Sequence, residues 1–173
     1  RANLKSTNTT PPIKEMVCSI QRLSLTSPTS AQDIASLYAS YLRESMGPWL
    51  KVDIDKHQCM RFRILGLSKP ILILRYAPQR SEKTRALYYI DGGLLADMDK
   101  MNQANVRGRL EFRVSSCETF ALAAVLDFAP KLPWNIYRMT QAPFHLKVMR
   151  GFQRFLKRQK LKTSLHAPPQ LLA

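Results

Sequence analysis

The sequence predicts an α+β domain in which a curved antiparallel sheet of about six to seven strands wraps around a long C-terminal helix. Two segments have the period of two that a half-buried strand requires. In Arg109–Val114 apolar and polar residues alternate, and in Phe120–Phe128 one face consists of Phe120, Leu122, Ala124, Leu126 and Phe128, while the other ends in Asp127. The segment that starts at Phe144 instead carries an apolar stripe at helical spacing. Because strands follow one another without alternating helices, the pattern favours α+β over a parallel sheet.

The length and the charge of the chain limit the number of its domains and the classes of its partners. Its 173 residues, 45% of them apolar, suffice for one domain with a packed core. We expect a flexible arm over residues 1–16, the domain over 17–162 and a flexible tail over 163–173. The net charge of +15 indicates a nucleic acid, an anionic membrane surface or an acidic ligand as a partner. Much of this charge is local, because residues 129–173 contain nine Lys or Arg and no acid.

The cysteines and the hydropathy bear on the compartment. Cys18, Cys59 and Cys117 are odd in number and widely spaced, which argues against a disulfide framework and for a reducing compartment. No apolar run approaches the roughly 20 residues that span a bilayer. We therefore expect a cytoplasmic protein, and nothing in the sequence predicts a cofactor.

The first part of the chain predicts a strand and then a helix. Residues 17–25 alternate loosely, which indicates the strand. In Ala31–Met46 apolar residues recur at three- and four-residue spacing, as in an amphipathic helix. Ser30 is a suitable N-cap for this helix, and Gly47-Pro48 should end it.

The middle of the chain is strand-like. Three short runs there have the composition of strands: 61–64, 71–76 and 86–90. Gly92-Gly93 predicts a bulge or a close approach of two backbones. The polar segment 97–105 predicts a loop.

The last predicted element is a long amphipathic helix. It can begin within residues 134–142, and Pro143 should kink it or restart it. A step of 100° per residue from Phe144 onward separates two sides. The apolar side consists of Phe144, His145, Val148, Met149, Phe152, Phe155 and Leu156. The basic side consists of Lys147, Arg150, Arg154, Lys157 and Arg158.

This order of elements resembles the helix-grip superfamily, which includes START lipid-binding domains and polyketide cyclase-like proteins. The resemblance covers roughly residues 17–160. It is carried by the strands Arg109–Val114 and Phe120–Phe128, which lead through residues 129–133 (Ala-Pro-Lys-Leu-Pro) into the final helix. Such proteins wrap a curved seven-stranded sheet around a long C-terminal helix, usually with a pocket between them. The resemblance thus implies a carrier or sensor of small molecules, although the superfamily also includes enzymes.

Residues near such a pocket would come from the apolar side of the helix and from the junction of sheet and helix. The residues expected there are Phe112, Trp134, Tyr137, His145, Met149 and Phe152. His145 is the most informative of them, because an imidazole among apolar residues can orient a ligand or transfer a proton. A histidine of the core or its rim would have the same sequence pattern.

The basic side of the helix is a second candidate site, for phosphates or anionic head groups. A solvated outer face of a basic protein would look the same, and no nucleic-acid motif accompanies it. Other constellations are weak. His57 and Cys59 are only two of the three or four ligands that zinc needs, so no metal site is predicted. Nothing places Cys117 beside a histidine and Asp127, as a nucleophile would require.

We therefore expect a non-enzymatic protein that binds a hydrophobic or amphipathic small molecule or a lipid between the sheet and the C-terminal helix. Its basic helix face would meet an anionic membrane or partner. A first alternative is a nucleic-acid or anion binder that uses the basic helix. A second is a cyclase- or hydrolase-like enzyme in which a pocket histidine acts with Glu111 or Asp91. The sequence does not predict the oligomeric state.

Overall fold

The computed structural model of the chain describes residues 16–165, except for the side chains of residues 134–142 and 159–165. Most of the expected arm and tail therefore lies outside the described residues, and the domain limits stay predictions. The side chains of Trp134 and Tyr137 also lie outside them. None of the described helices is long and apolar enough to cross a membrane.

The described residues form seven strands, three α-helices and two short 3-10 helices, Gly47–Trp49 and Pro78–Arg80. The strands are β1 Val17–Ser24, β2 Leu50–Ile54, β3 Met60–Ile64, β4 Leu72–Tyr76, β5 Arg85–Gly92, β6 Arg109–Val114 and β7 Phe120–Phe128. The helices are α1 Ala31–Met46, α2 Met98–Gln103 and α3 Trp134–Leu165. All strands form one antiparallel sheet in the order β1-β7-β6-β5-β4-β3-β2. The predicted α+β fold of a seven-stranded antiparallel sheet with a C-terminal helix is thus confirmed.

Helix α1 begins and ends where the sequence predicts. The Asp33 N–H donates to Ser30 Oγ over 3.1 Å, and the Ser30 N–H donates back to the Asp33 carboxylate over 3.3 Å. This reciprocal capping box satisfies two backbone donors that a helix start leaves free. Gly47, with φ of +54°, ends the helix in a conformation that suits glycine. The cap thereby fixes where α1 starts along the sheet.

The loop predicted for residues 97–105 is wrong, because α2 lies there. Asp97 caps this helix by accepting a hydrogen bond from the Lys100 N–H over 3.0 Å. Met101 is its one buried residue and anchors it to the core. A helix of six residues with one buried side chain has no apolar period, so a periodicity argument cannot find it.

The predicted irregularity at Gly92-Gly93 is confirmed. The register between β4 and β5 shifts at Ile73, which pairs with Gly92. Gly93 has φ of +114°, and a Cβ added to it would overlap the Ile71 carbonyl oxygen. The backbone that follows β5 therefore passes close to the chain that precedes β4, which only glycine permits.

Helix α3 is continuous from Trp134 to Leu165, so Pro143 lies inside it and does not restart it. Its apolar side faces the domain: Val148, Met149, Phe152 and Leu156 are buried. Phe144 is the exception and leaves 55% of its surface exposed. The amphipathic pattern therefore predicted the orientation of the helix but not the position of its first apolar residue.

Three aromatic rings join the sheet to both long helices. The Tyr38 ring of α1 lies 5.7 Å from the Phe112 ring of β6 and 5.1 Å from the Phe152 ring of α3. These spacings are typical of edge-to-face and tilted aromatic pairs, which add to the free energy of burial. Phe112 and Phe152 have no exposed surface. We call these three residues the aromatic contact.

We predict that Gly151→Ala destabilises the protein. A Cβ at this position of α3 would overlap the Tyr41 hydroxyl oxygen and lie 3.0 Å from Tyr41 Cζ. Relieving this overlap costs about 1 to 3 kcal/mol, which exceeds the gain of up to roughly 1 kcal/mol from the better helix former. Urea denaturation should show the loss, and adding Tyr41→Phe should recover part of it. A Gly151→Ala variant at least as stable as the wild type would contradict this packing.

Candidate functional site

A cavity of about 210 Å³ lies between the inner face of the sheet and the helices α1 and α3. Because strand side chains alternate, each strand can reach the cavity only with its inward-facing residues. Its apolar wall consists of Val17, Leu42, Met46, Leu50, Phe62, Ile71, Leu72, Leu74, Ile90, Leu95, Leu110, Val125, Phe128, Phe144 and Val148. Ser19, Tyr38 and His145 complete the lining.

These last three residues supply the polar groups of the cavity wall. Among the described residues, neither the Ser19 and Tyr38 hydroxyls nor the His145 imidazole has a hydrogen-bond partner. Burial lowers the pKa of His145, so the imidazole is neutral at pH 7. Burial also raises the pKa of Tyr38, with a smaller contribution from Tyr41, so its hydroxyl stays protonated. The described wall thus offers neutral donors and acceptors and no charge.

The cavity opens beside the first apolar residue of the α3 stripe. Phe144 lines the cavity and yet is 55% exposed, so its ring lies where the cavity meets solvent. Met46 and Leu50, at the end of α1 and the start of β2, also line the cavity, and Trp49 between them is 69% exposed. Apolar side chains therefore lie beside this opening.

The described residues that were expected near a pocket fall into two groups, one that lines the cavity and one that does not. His145 lines the cavity. Phe112, Met149 and Phe152 do not line it: they are at most 4% exposed and pack in the core next to it. The reason is that Phe152 of α3 is in direct contact with Tyr38 of α1, whereas the cavity lies beside Phe144, His145 and Val148. Contact of these three residues with a ligand stays a prediction, as does that of Trp134 and Tyr137.

Sequence reasoning missed most of the wall. Leu110 faces inward, on the side that the alternation of β6 predicts. The predicted face of β7 is wrong, because Leu122, Ala124 and Leu126 face outward. Phe128 joins Val125 on the inner side only because the strand is irregular at Asp127, whose φ is +54°. Leu42 and Met46 lie on the apolar side of α1. No local pattern distinguishes a cavity-lining apolar residue from a core residue, because both face the same way.

The basic side of α3 is exposed over its described length. All five residues predicted for it have exposed side chains: Lys147, Arg150, Arg154, Lys157 and Arg158. None of them pairs with an acid among the described residues. They form a row of cations along the outside of the helix, as the sequence predicts, and whether this row binds anything stays a prediction.

The acids proposed as partners of a pocket histidine lie elsewhere. Asp91 pairs with Arg75 over 3.1 Å and with Arg107 over 3.8 Å. Glu111 pairs with Arg85 over 3.0 Å. Both belong to the outer face of the sheet and neither lines the cavity, so the pairing of His145 with either acid is wrong. A reaction carried by His145 without them stays a prediction.

The remaining candidates do not assemble into sites. All three cysteines are free. Cys117 lies in the exposed β6–β7 turn, where the Ser115 and Thr119 hydroxyls lower its pKa to about 7, while Asp127 instead pairs with Arg109. The Asp55 carboxylate accepts the N–H groups of His57 and Cys59 over 2.9 and 3.0 Å, which explains these residues as a turn. No three potential metal ligands cluster within the described part of the chain.

No family model and no curated protein matches this sequence. The structure, however, is similar to a START superfamily protein from Mycobacterium smegmatis, with a TM-score of 0.51 over 83% of this chain and 98% of that chain. This chain has the helix-grip fold. Sequence identity to that protein is 15%, so the likeness concerns the fold alone.

Two further solved structures have lower scores. A norcoclaurine synthase variant from Thalictrum is 13% identical over 84% of this chain and 98% of that chain, with a TM-score of 0.48. A protein from Thermus thermophilus is 11% identical over 83% of this chain and 97% of that chain, with a TM-score of 0.47. The similarity to the Mycobacterium smegmatis protein confirms the predicted helix-grip resemblance at the level of the fold.

We predict that His145 makes the protein less stable in mild acid. Its pKa is lowered in the folded state, so the unfolded chain binds the proton more readily. The free energy of unfolding must therefore fall as the pH drops through the ordinary histidine range near 6.5. Thermal denaturation between about pH 7.5 and 5.5 should show a smaller loss in His145→Gln than in the wild type. An unchanged pH dependence in His145→Gln would refute the burial argument.

Proposed function

We propose that this helix-grip protein binds an uncharged, mostly apolar small molecule in the cavity between the sheet and α3. The observation that supports this most directly is the wall itself, in which apolar side chains surround three polar groups without partners among the described residues. A charged ligand would lose its hydration there and find no opposite charge. A ligand hydroxyl or carbonyl group could instead pair with the His145 imidazole, which is neutral and can donate or accept.

The volume restricts the size of the ligand. A dry cavity of roughly 150 Å³ can hold benzene. The cavity of about 210 Å³ should therefore hold about ten non-hydrogen atoms, as in a bicyclic phenol. A lipid chain would exceed this volume and would have to leave through the opening beside Phe144. The volume of the cavity therefore favours a compact molecule over a whole lipid.

We predict that filling the cavity abolishes binding. Val125→Phe adds a ring on the inner face of β7, and Ile73→Phe adds one on the outer face of β4 as a matched control. Native mass spectrometry, followed by denaturing extraction, should find a bound molecule on the wild type and on Ile73→Phe but not on Val125→Phe. In fluorescence titrations with 2-naphthol, Val125→Phe should bind at least about tenfold more weakly. A tenfold loss corresponds to about 1.4 kcal/mol, which is less than the burial of one large apolar group contributes.

Two results would contradict the proposal that the cavity binds a ligand. One is a Val125→Phe variant that keeps the bound molecule or the 2-naphthol affinity of the wild type. The other is a wild type that carries no adduct and does not bind 2-naphthol. Thermal denaturation of both variants would show that loss of binding is not loss of folding.

A second candidate function is supported by the row of cations on α3. Five exposed basic side chains without acidic partners among the described residues could bind an anionic membrane surface, where each cation contributes roughly 1 kcal/mol. Such binding would complement the cavity, because it would bring the protein to a source of apolar ligands.

We predict that reversing two of these charges weakens binding to vesicles that contain phosphatidylserine. Arg150→Glu with Arg154→Glu should lower the affinity at least about tenfold, and added salt should weaken the wild type steeply. The matched control is Arg61→Glu with Arg63→Glu, which changes the net charge equally but on β3, where both arginines already pair with acids. An equal loss in both double variants would mean that net charge alone acts and that α3 is not the docking face.

A further inference from the structure

The outer face of the sheet carries a second concavity, on the side opposite to the ligand cavity. This groove has a volume of about 580 Å³ and crosses β5, β6, β7 and β1. Guanidinium groups line one part of it: Arg80, Arg85, Arg107, Arg109 and Arg113. Apolar side chains line the other part: Ile20, Leu122, Ala124 and Leu126. We call this the outer groove.

Strand register explains why the two kinds of side chain separate. Arg85 of β5 lies directly opposite Arg113 of β6, and Arg113 lies opposite Leu122 of β7. In the next outward-facing row, Glu111 of β6 lies opposite Ala124 of β7. Cationic residues thus occupy β5 and β6, while apolar residues occupy β7 and β1. Because the Ala124 side chain is small, it leaves space in the groove between the cationic and the apolar residues.

Glu111 holds the cationic part in place. Opposed arginines repel, but the Glu111 carboxylate accepts hydrogen bonds from Arg85 Nε over 3.0 Å and from Arg85 Nη2 over 3.2 Å. It also accepts one from Arg113, and Arg109 Nε lies 3.9 Å away. Burial tends to raise the pKa of Glu111, yet the bonds from Arg113 and Arg85 outweigh it and hold that pKa below its usual value. One ionised carboxylate, 4% exposed, therefore orients three guanidinium groups.

Positive charge is in excess after this pairing. Five arginines line the groove, and the acids that pair with them in the described chain are Glu111, Asp91 and Asp127. Asp91 also pairs with Arg75, so at least two positive charges are left over. Arg113 and Arg107 keep 58% and 53% of their side chains exposed, so donors at both ends of the groove can reach a partner.

The apolar part is unusual for an outer sheet face. Ile20 is 55% exposed, and Leu122 and Leu126 are half-buried beside it. Water-exposed apolar surface next to ordered cations suits a partner that offers both apolar and acidic side chains in parallel rows. An α-helix with an apolar stripe flanked by Asp and Glu has that pattern.

We propose that the outer groove binds an acidic amphipathic helix of a partner protein. A membrane surface is broad and flat, whereas the ordered guanidinium groups here line one side of a concave groove. A nucleic-acid strand offers no apolar side chains for Ile20 and Leu122. It would also find the nearest aromatic ring occupied, because Tyr89 is 8% exposed and lies under Arg107 at 4.0 Å. The basic segment 129–173 of this chain has the wrong charge to be the occupant.

The test uses the full chain and a fluorescent peptide of about 14 residues, with Leu at helical spacing and Glu on both flanks. A scrambled peptide of equal composition is the peptide control. In anisotropy titrations, Ile20→Gln should weaken binding about tenfold and Arg113→Ala about threefold. Matched protein controls are Ile54→Gln and Arg63→Ala, whose residues are comparably exposed and lie outside the groove. Both should bind the peptide like the wild type.

Three outcomes would overturn the proposal. The first is equal affinity for the scrambled peptide, which would reduce the interaction to net charge. The second is unchanged affinity in Ile20→Gln, which should fold normally because Ile20 is largely exposed. The third is that the peptide does not bind, whereas anionic vesicles or a single-stranded oligonucleotide bind the wild type but not the groove variants. None of these results depends on whether the inner cavity holds a ligand.

Discussion

The aromatic contact between Tyr38, Phe112 and Phe152 is the interaction on which the rest of the structure depends. It fixes α1 between the sheet and α3, with ring centroids 5.7 and 5.1 Å apart. Because rings in direct contact cannot approach further, α3 is held at a set distance from the sheet. Toward Phe144 this direct packing ends, and a gap between α3 and the sheet is lined by Phe144, His145 and Val148 of the helix. The cavity is this gap.

A single sheet supplies both candidate binding sites, since strand side chains alternate between its faces. In β6, Leu110 lines the cavity while Arg109 and Glu111 line the outer groove. In β7, Val125 faces inward and Leu122 outward. The two faces differ in chemistry. The helices cover the inner face, where an unpaired charged group would lose its hydration, so only neutral groups line the described wall of the cavity there. The outer face borders water, where charged groups keep part of their hydration.

The large positive charge is organised in two different ways. On α3 the cations project from an exposed helix without acidic partners among the described residues, so they are suited to a diffuse anionic surface. On the sheet, Glu111 and the cross-strand register orient the arginines, so their donors have defined directions. Ordered guanidinium groups recognise carboxylates by geometry, whereas mobile cations recognise mainly charge. Net charge alone therefore does not describe the partners of this protein.

The sequence by itself determined features that depend on local periodicity. The alternation in β6, the existence of β7 but not its faces, the Ser30 cap of α1 and the apolar and basic sides of α3 were predicted, and with the order of the elements these sufficed for the fold. Tertiary structure decided which inward-facing residues border empty space: Phe112 and Phe152 are core, while Leu110 and Val125 line the cavity. It also decided that Glu111 and His145 lie on opposite sides of the sheet. The reason is that periodicity fixes the direction of a side chain, whereas a cavity or a pair of groups depends on the distance between elements far apart in the chain.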